Sequence, residues 1–392
     1  LFNINEVMKM LVNMRDVLKA ADENLYGQGA FNANSVAQIK ALVEIHEELR
    51  SPAIIQGANL ANGFMGGCID FAKCTLEDKK KGAKNIGDAV RKYAENSKVP
   101  VVLHLDHGND FDACKAAIDG GYTSVMIDGS SLPYEKNVEL TREVVKYAHE
   151  RGVSVEGELG VLAGVEDDVF SEKSSYTNPL QALDFFKKTE VDALAISYGT
   201  MHGPNKGKNA VIRKEIAIAI KEIMRHEGID GFLVSHGSST VPQYIVKEIN
   251  ELGGDITNAY GIDVNQLVEV TKSGINKINV DTDIRLATTR NVRELFKNRP
   301  ELKNVQYCDE IFNLLETNPK VSDPRAYLHP IIDTLMYGNI PNEGVAEIVR
   351  EVELAVKETV GTLLVKFGSV GKMPLVKTHT LCEMAEYYKS RK

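Results

Sequence analysis

Hydrophobic and polar positions follow two patterns that alternate along the chain. Short apolar runs rich in Val, Ile and Ala, typical of strands buried on both faces, are separated by longer stretches with helical spacing. The helical stretches include SVAQIKALVEIHEEL and NVELTREVVKYAHERG, and several begin at a capping residue or proline and end near glycine. The predicted strands cover residues 29–34, 52–58, 99–107, 124–130, 153–160, 193–199, 231–239 and 277–283.

This alternation predicts an α/β fold. Eight β/α units in about 260 residues favour a TIM (β/α)8 barrel. An open doubly wound sheet is the alternative, but it normally has fewer strands and a Gly-rich first turn, and no G-x-G-x-x-G follows the first strand here.

Both ends of the chain have helical patterns. Val7, Leu11, Met14 and Leu18 recur at helical spacing and predict an amphipathic N-terminal helix that caps the barrel. Beyond residue 283 the pattern is mainly helical. We therefore expect one domain over residues 1–392, with the barrel at about 29–295 and a helical C-terminal extension at about 296–392.

Charge and cysteine content narrow the possible functions. The 46 basic and 55 acidic residues give a net charge of −9, which argues against non-specific nucleic-acid binding. The five cysteines are scattered without a Cys-x-x-Cys pair, so neither a disulfide framework nor a thiolate zinc site is expected. No apolar run approaches the roughly 20 residues of a membrane span, and the polar N-terminus does not resemble a signal peptide. We expect a cytoplasmic protein that does not bind membranes.

The predicted strands end in polar or ionisable residues. In a TIM barrel these ends converge at the face that carries the active site, and buried polar groups are costly unless they are paired or used. A single polar residue at a strand end would be structural, but polar residues recur at the ends of most of the predicted strands, which favours a functional role. The residues are Asn32, Asp106, His107, Asp128, Glu156, Glu158, His202, His236, Asn279, Asp281 and Thr282.

Three of these residues predict a metal site. His107, His202 and His236 would supply three imidazoles and leave positions open for substrate, as in catalytic zinc sites; Co²⁺ or Mn²⁺ could use the same ligands. His104 shares the strand face of Asp106 and is expected to support the site. The other histidines end no predicted strand, so we interpret them as structural: His46, His149, His226, His329 and His379.

Two further segments add complementary chemistry. Gly237, Ser238 and Ser239 follow the seventh strand and Thr282 closes the eighth, where TIM barrels commonly bind phosphate. The long loop 155–175 predicts a lid that could bring the carboxylate of Glu166 over the metal, although a solvated acidic loop is the alternative.

Together these parts favour carbon–carbon bond chemistry on a phosphorylated keto sugar. A metal would polarise the ketone, and two carboxylates would move protons. A Schiff-base route needs a lysine at a strand end. The one candidate is Lys277, at the start of the predicted eighth strand, which favours the metal route.

The same residues lie in motifs that resemble the class II fructose-bisphosphate/tagatose-bisphosphate aldolases. The motifs are AFNANSVAQIKA, HLDHGNDFDACKAAIDGGYTSVMIDGS, EGELGVLAGVEDD, ISYGTMHG, VSHGSSTVP, KINVDTDIR, DPRAYL and KFGSVGK, in the family's order from about residue 29 to about residue 375. The resemblance implies a homodimeric or homotetrameric lyase of glycolysis, usually zinc-dependent. It would cleave a ketose bisphosphate, above all fructose 1,6-bisphosphate, into dihydroxyacetone phosphate and glyceraldehyde 3-phosphate.

The resemblance also implies roles for individual residues. The metal ligands fall on His107, His202 and His236, the acid–base aspartate on Asp106 and the loop glutamate that moves the carbon-bound proton on Glu166. A less expected second metal falls at Asp128 and Glu158. The arginines for the distal phosphate fall on Arg285 and Arg325, the former reaching across the dimer in some members. The remaining substrate contacts fall on Gly203, Gly237, Ser238, Ser239, Asn279, Asp281 and Thr282, and the strand end Asn32 joins them as a candidate.

Two departures from the family leave the aldehyde partner open. Ala58 stands where the family commonly has a serine that helps bind the distal phosphate, and segment 296–322 and the NIPNEG region look like insertions. Tagatose or sedoheptulose bisphosphate is an alternative substrate. A metal-dependent barrel hydrolase and a non-catalytic sugar-phosphate binding protein are more distant alternatives.

Overall fold

The computed structural model describes residues 10–162, 164–166, 169–171, 175–208 and 210–391; side chains are not described at 72, 164–166 and 169–171. Eight parallel strands form a closed barrel in the order β1-β10-β9-β8-β5-β4-β3-β2. They are β1 Gln28–Asn32, β2 Ala53–Ala58, β3 Val101–Gly108, β4 Ser124–Ile127, β5 Ser154–Leu159, β8 Ala193–Ile196, β9 Phe232–Ser235 and β10 Ile275–Val280. A two-stranded antiparallel sheet, β6 Gly164–Glu166 and β7 Val169–Ser171, follows β5. The predicted TIM-type barrel is confirmed.

Helices connect the strands and continue beyond the barrel. Up to β10 they are α1 Met14–Glu23, α2 Val36–Glu48, α3 Asn59–Met65, α4 Leu76–Ala94, α5 Phe111–Asp119, α6 Tyr134–His149, α7 Pro179–Thr189, α8 Lys214–His226, α9 Gln243–Glu251 and α10 Val264–Thr271. After β10 come α11 Thr282–Asn298, α12 Cys308–Thr317, α13 Arg325–Leu328, α14 Ile332–Tyr337, α15 Glu343–Phe367 and α16 Leu381–Ser390. Within the described residues, no helix is both long and apolar enough to cross a membrane.

The N-terminal helix closes the amino end of the barrel, but it begins later than the sequence predicts. Val17 and Leu18 pack into the apolar cluster inside the barrel with Val102 and Val234. The expectation that Leu11 belongs to this helix is wrong, because the backbone there pairs with the start of β3: the Val12 N–H donates to the Val101 carbonyl at 2.9 Å. The helix begins at Met14, and Val7 lies outside the described residues.

The C-terminal helices pack on the outside of the barrel and at its amino end. Val356, Val360 and Phe367 of α15 belong to the same buried cluster as β1 and β10 residues such as Phe31 and Ile278. The last helix, α16, reaches the amino end of the barrel, where the Tyr388 hydroxyl donates to Asp192 at 3.0 Å. The predicted helical C-terminal extension is confirmed as secondary structure.

One expectation about the cysteines is wrong. Cys68 and Cys74 form a disulfide in the loop between α3 and α4, with their Cα atoms 5.6 Å apart. Their separation of six residues matches no short motif, and the loop itself folds the two side chains together. Cys114 and Cys308 are buried free thiols and Cys382 is an exposed one.

Candidate active site

Strand alternation carries the polar face of β3 into the barrel. Val102 points into the interior apolar cluster, whereas Leu103 and Leu105 pack in the outer cluster against the helices. Because side chains alternate along a strand, His104 and Asp106 share the inward face of Val102. Both are buried, so β3 delivers an imidazole and a carboxylate to the carboxyl end of the barrel.

His107 would point outward by the same alternation, and an irregularity in β3 redirects it. Its φ of +48° lies in the left-handed region, and the register with β4 shifts between Leu105 and Gly108. Bulges of this kind redirect side chains and concentrate at functional sites, where the surrounding structure must compensate the backbone strain. His107 consequently lies beside the inward carboxylate of Asp106, and only 2% of its surface is exposed.

His107 and His236 present facing nitrogen atoms. His107 Nε2 and His236 Nδ1 are 3.0 Å apart, while the opposite ring nitrogens contact carboxylates, His107 Nδ1 at 3.1 Å from Asp128 and His236 Nε2 at 2.7 Å from Glu156. An ionised carboxylate only accepts hydrogen bonds, so each imidazole donates through its outer nitrogen, and in the neutral form its inner nitrogen carries the lone pair. In that form the two inner nitrogens can both bind one cation.

The electrostatics of this cluster favour positive charge. Donor atoms of Asp106, His107 and His236 lie within 4.8 Å of one another, and those of His107, Asp128 and Glu158 form a second such group. Burial disfavours a charged imidazole, yet the hydrogen bond to Asp128 and the charge of Asp106 raise the pKa of His107 well above its usual value. A divalent cation would satisfy the same carboxylates, so the residues fit a metal.

His202 joins this group from the loop after β8. Its ring centroid lies 5.1 Å from that of His107 and 6.3 Å from that of His236, and it is buried. The structure therefore brings together all three histidines predicted from the sequence.

Glu156 links His236 to two further buried side chains, Lys277 and His104. Its other carboxylate oxygen lies 2.8 Å from Lys277 Nζ and 3.5 Å from His104 Nε2, and all these side chains are fully buried. Burial alone would raise the pKa of Glu156, but the charge of Lys277 and the hydrogen bond with His236 hold it well below its usual value. Lys277 lies inside β10 rather than at a strand start, and it forms an ion pair with this carboxylate.

Asp106 is oriented by two amides. Asn32 Nδ2 donates to one carboxylate oxygen at 2.9 Å and Asn279 Nδ2 donates to the other at 3.1 Å. Gln56 in turn donates to the Asn32 side chain at 2.8 Å, which fixes the amide orientation. Ala58 pairs in register with Asp106 at the end of β2, and its methyl side chain offers no donor there.

The loops after β9 and β10, where the sequence predicts a phosphate site, contact each other at the carboxyl end of the barrel. The backbone N–H groups of Asp281 and Thr282 both donate to Ser239 Oγ, at 3.3 and 3.1 Å. Gly237 has a φ of +60°, and a Cβ there would lie 2.3 Å from the Met201 carbonyl, so only glycine fits. Thr282 opens α11, whose N-terminal N–H groups and dipole favour an anion. Ser238 is fully buried, and Gly203 adjoins His202 with a φ of +78°.

Arg285 and Arg325 both form ion pairs with the carboxylate of Asp323. Arg285 Nη1 and Arg325 Nη2 lie 2.9 and 2.8 Å from Asp323 Oδ2, and Arg285 also pairs with Asp281. Burial opposes ionisation of Asp323, but the charges of Arg285 and Arg325 hold its pKa well below its usual value. The Phe71 ring, from the segment between Cys68 and Cys74, lies 4.9 Å from the Arg325 guanidinium carbon.

Glu166 lies in the small antiparallel sheet. At the end of β6 its backbone pairs with that of Val169 at the start of β7, within the predicted lid loop, and its side chain is not among the described ones. The proposed closure over the metal therefore stays a prediction.

The sequence patterns did not identify two residues of the site. Gln56 orients Asn32. It lies two residues after the interior Ile54 on β2, so the alternation of side chains along the strand could have predicted that it points inward. Lys206 is buried and its ammonium donates to the carbonyls of Met201 and Gly203, on either side of His202. No pattern in the sequence marks that contact, because it depends on the path of the loop.

Comparison with known proteins identifies the family. The family model "Fructose-bisphosphate aldolase class-II" matches residues 12–372. A fructose-bisphosphate aldolase from Treponema pallidum is 40% identical over 338 residues, which cover 83% of this chain and 92% of that protein. One from Thermus caldophilus is 37% identical over 366 residues, covering 93% and 100%.

Solved structures show the same fold. A fructose-bisphosphate aldolase from Campylobacter jejuni superposes with a TM-score of 0.66 at 20% identity, covering 95% of this chain and 100% of that one. The YdjI aldolase from Escherichia coli K12 superposes with a TM-score of 0.63 at 24% identity, covering 93% and 100%.

A closed parallel barrel with a buried, cation-favouring cluster at its carboxyl end is the architecture of a (β/α)8 enzyme. The chain belongs to the class II fructose-bisphosphate aldolase family, whose members are metal-dependent lyases.

Proposed function

We propose that this protein cleaves fructose 1,6-bisphosphate reversibly into dihydroxyacetone phosphate and glyceraldehyde 3-phosphate. The observation that carries the proposal is the donor cluster in which His107 Nε2 and His236 Nδ1 lie 3.0 Å apart beside the oriented carboxylate of Asp106. Homologues of 37–40% identity that bear the name fructose-bisphosphate aldolase support the substrate.

His107, His202 and His236 would hold the metal, which we propose to be Zn²⁺, with Co²⁺ or Mn²⁺ able to replace it. When bound, such a metal supplies Lewis-acid polarisation of the substrate ketone. A second metal at Asp128 and Glu158 is less favoured, because Asp128 already accepts a hydrogen bond from His107.

The proton transfers fall to two carboxylates. Asp106 would take the proton of the substrate hydroxyl as the carbon–carbon bond breaks, and its two amide donors hold it in one orientation for that transfer. Glu166 would deliver a proton to the carbon that becomes dihydroxyacetone phosphate. Asn32 and Asn279 thus act through Asp106 as well as lining the substrate position.

The two phosphates would bind to two different sets of residues. The triose phosphate end would use Gly203, Gly237, Ser238, Ser239, Asp281 and Thr282, because backbone amides and hydroxyls converge there. The distal phosphate would bind Arg285 and Arg325, whose guanidinium groups already lie on the single carboxylate of Asp323. We further propose a cytoplasmic homodimer or homotetramer, as the family resemblance suggests.

Metal removal combined with a substrate comparison tests this function. Chelation should abolish cleavage of fructose 1,6-bisphosphate, and Zn²⁺ or Co²⁺ should restore it. A fully active metal-free protein would contradict the metal route. Faster cleavage of tagatose or sedoheptulose bisphosphate would keep the mechanism and change the substrate, which is the open question that Ala58 raises.

A further inference from the structure

A cavity separate from the candidate active site lies along the C-terminal half of α11. Its volume is about 360 Å³, within the range of small-molecule sites. Arg293 lies eleven residues after Thr282, which begins the helix at the candidate active site, so it is on the order of 16 Å further along the axis. The walls combine apolar and cationic side chains, among them Leu252, Phe296, Phe312, Arg293, Lys297 and Lys303.

The cationic side chains outnumber the carboxylates that could neutralise them. Lys297 and Lys303 are exposed, and neither forms an ion pair within the described part of the chain. Two glutamates, Glu251 and Glu316, also line the cavity, so three cationic side chains face two carboxylates. The cavity therefore has an excess of positive charge.

Arg293 adds a buried group with unused hydrogen-bonding capacity. Only 4% of its surface is exposed, and its Nη2 donates to the Leu315 carbonyl at 3.0 Å. Its Nε is buried and has no hydrogen-bond partner among the described residues. A buried charged donor without a partner is costly, so this side chain favours an acceptor nearby.

The apolar wall is aromatic. The rings of Phe296 and Phe312 lie 5.4 Å apart and are tilted by 58°. Lys303 Nζ lies 4.0 Å from the Phe312 ring centroid, so an ammonium and an aromatic face are available together. Such a wall suits a planar ring that carries negative charge.

We propose that this cavity is a binding site for a small organic phosphate that carries a planar ring. The ring packs against Phe312, and the phosphate accepts from Arg293, Lys297 and Lys303. The segment after residue 295, which supplies Lys297, Lys303 and Phe312, thereby gains a role separate from aldol cleavage.

The absence of tryptophan from the sequence permits a local reporter. Leu252→Trp places a single indole at a half-buried position of the cavity wall, where its fluorescence reports binding there. Three probes are compared: phenyl phosphate, inorganic phosphate and phenol. We expect phenyl phosphate to give a saturable change with at least tenfold higher affinity than either other probe.

Charge-removing variants in the Leu252→Trp background locate the phosphate. Lys297→Gln and Lys303→Gln change exposed side chains and leave the core intact, and together they should weaken phenyl phosphate binding by roughly tenfold or more. Lys366→Gln, an exposed lysine on α15, is the matched control and should change nothing. Equal affinity in the double variant and the control, or no saturable signal with phenyl phosphate, would overturn the proposal.

Discussion

At the scale of single residues, the direction of each imidazole lone pair decides what the cluster can bind. In neutral His236 a proton on Nε2, donated to Glu156, leaves the Nδ1 lone pair pointing inward, and Glu156 is in turn held by Lys277. Outer partners of this kind commonly fix the tautomer of a metal-binding histidine. Lys277 therefore acts on His236 through Glu156.

Replacing Lys277 tests this chain of contacts. Lys277→Met leaves the buried Glu156 without its ammonium partner, so we expect metal affinity to fall about 10–100-fold. Competition against a chelating dye measures the affinity. Lys277→Arg should retain most of it because the charge is kept, and Lys272→Met, at an exposed neighbour, serves as the control. Unchanged metal affinity in Lys277→Met would show that Glu156 orients His236 unaided.

Replacing Asp106 should impair cleavage without removing the metal, unlike replacing one of the three histidines. Asp106→Asn preserves shape but cannot take the hydroxyl proton, so cleavage should fall by roughly 10²–10⁴-fold while bound metal persists. Metal content and single-turnover cleavage on one preparation check this. Exchange of the carbon-bound proton of dihydroxyacetone phosphate should survive better than cleavage, because we assign that step to Glu166 as a proposal. Loss of metal in Asp106→Asn would instead make Asp106 a ligand.

At the scale of elements, the last helix is attached through a buried carboxylate. Asp192 accepts hydrogen bonds from Arg15 at 3.2 Å, His149 at 2.9 Å and Tyr388 at 3.0 Å, joining α1, α6 and α16. Burial opposes its ionisation, but the charge and hydrogen bond of His149, followed by the charge of Arg15, lower the pKa of Asp192 to about 2. The amino end of the barrel is thus held by polar contacts.

The free energy of unfolding should depend on pH through the carboxylate of Asp192. A depressed pKa in the folded state contributes stability above the unfolded value of about 3.9, and this contribution, about 2 kcal/mol, is lost as the pH falls towards 2. Asp192→Asn should cost about 3–5 kcal/mol at pH 7, and urea unfolding at pH 7 and pH 3 should show the gap from wild type narrowing. Asp230→Asn, a half-exposed partner of the same Arg15, should cost less than about 1 kcal/mol. A pH-independent gap would assign the loss to packing.

The same scale shows what the sequence can and cannot predict. All eight barrel strands were predictable because apolar runs bounded by polar residues are local signals, and the strand-end rule then grouped residues from distant segments. The start of α1 was not predictable, since helical spacing at Leu11 yields to backbone pairing with Val101. The inward turn of His107 was equally hidden, because strict alternation points it outward and only the register shift against β4 corrects it. Lys206 depends on a loop path that no periodicity encodes.

At the scale of the whole molecule, the barrel and its extension share their packing. Residues of α15 such as Val360 and Leu364 lie in the same buried cluster as strand residues of the barrel. A second cluster joins α11 to α12 and α15 through Phe296, Ile311 and Ile348. We propose that residues 1–392 form one domain in which the extension does not unfold separately, as one cooperative unfolding transition would indicate.

We expect the Cys68–Cys74 bond to make substrate affinity depend on the oxidation state of the solution. The bond closes the short segment whose Phe71 lies against the Arg325 guanidinium, the group proposed to hold the distal phosphate. With dithiothreitol the segment is released, and weakening one charge-assisted contact by about 1 kcal/mol should raise KM for fructose 1,6-bisphosphate roughly fivefold. Cys74→Ser should show the high KM with or without reductant, while kcat stays the same. Equal KM values in both solutions would leave the bond a purely structural link; otherwise, affinities measured with and without a thiol describe two different binding surfaces.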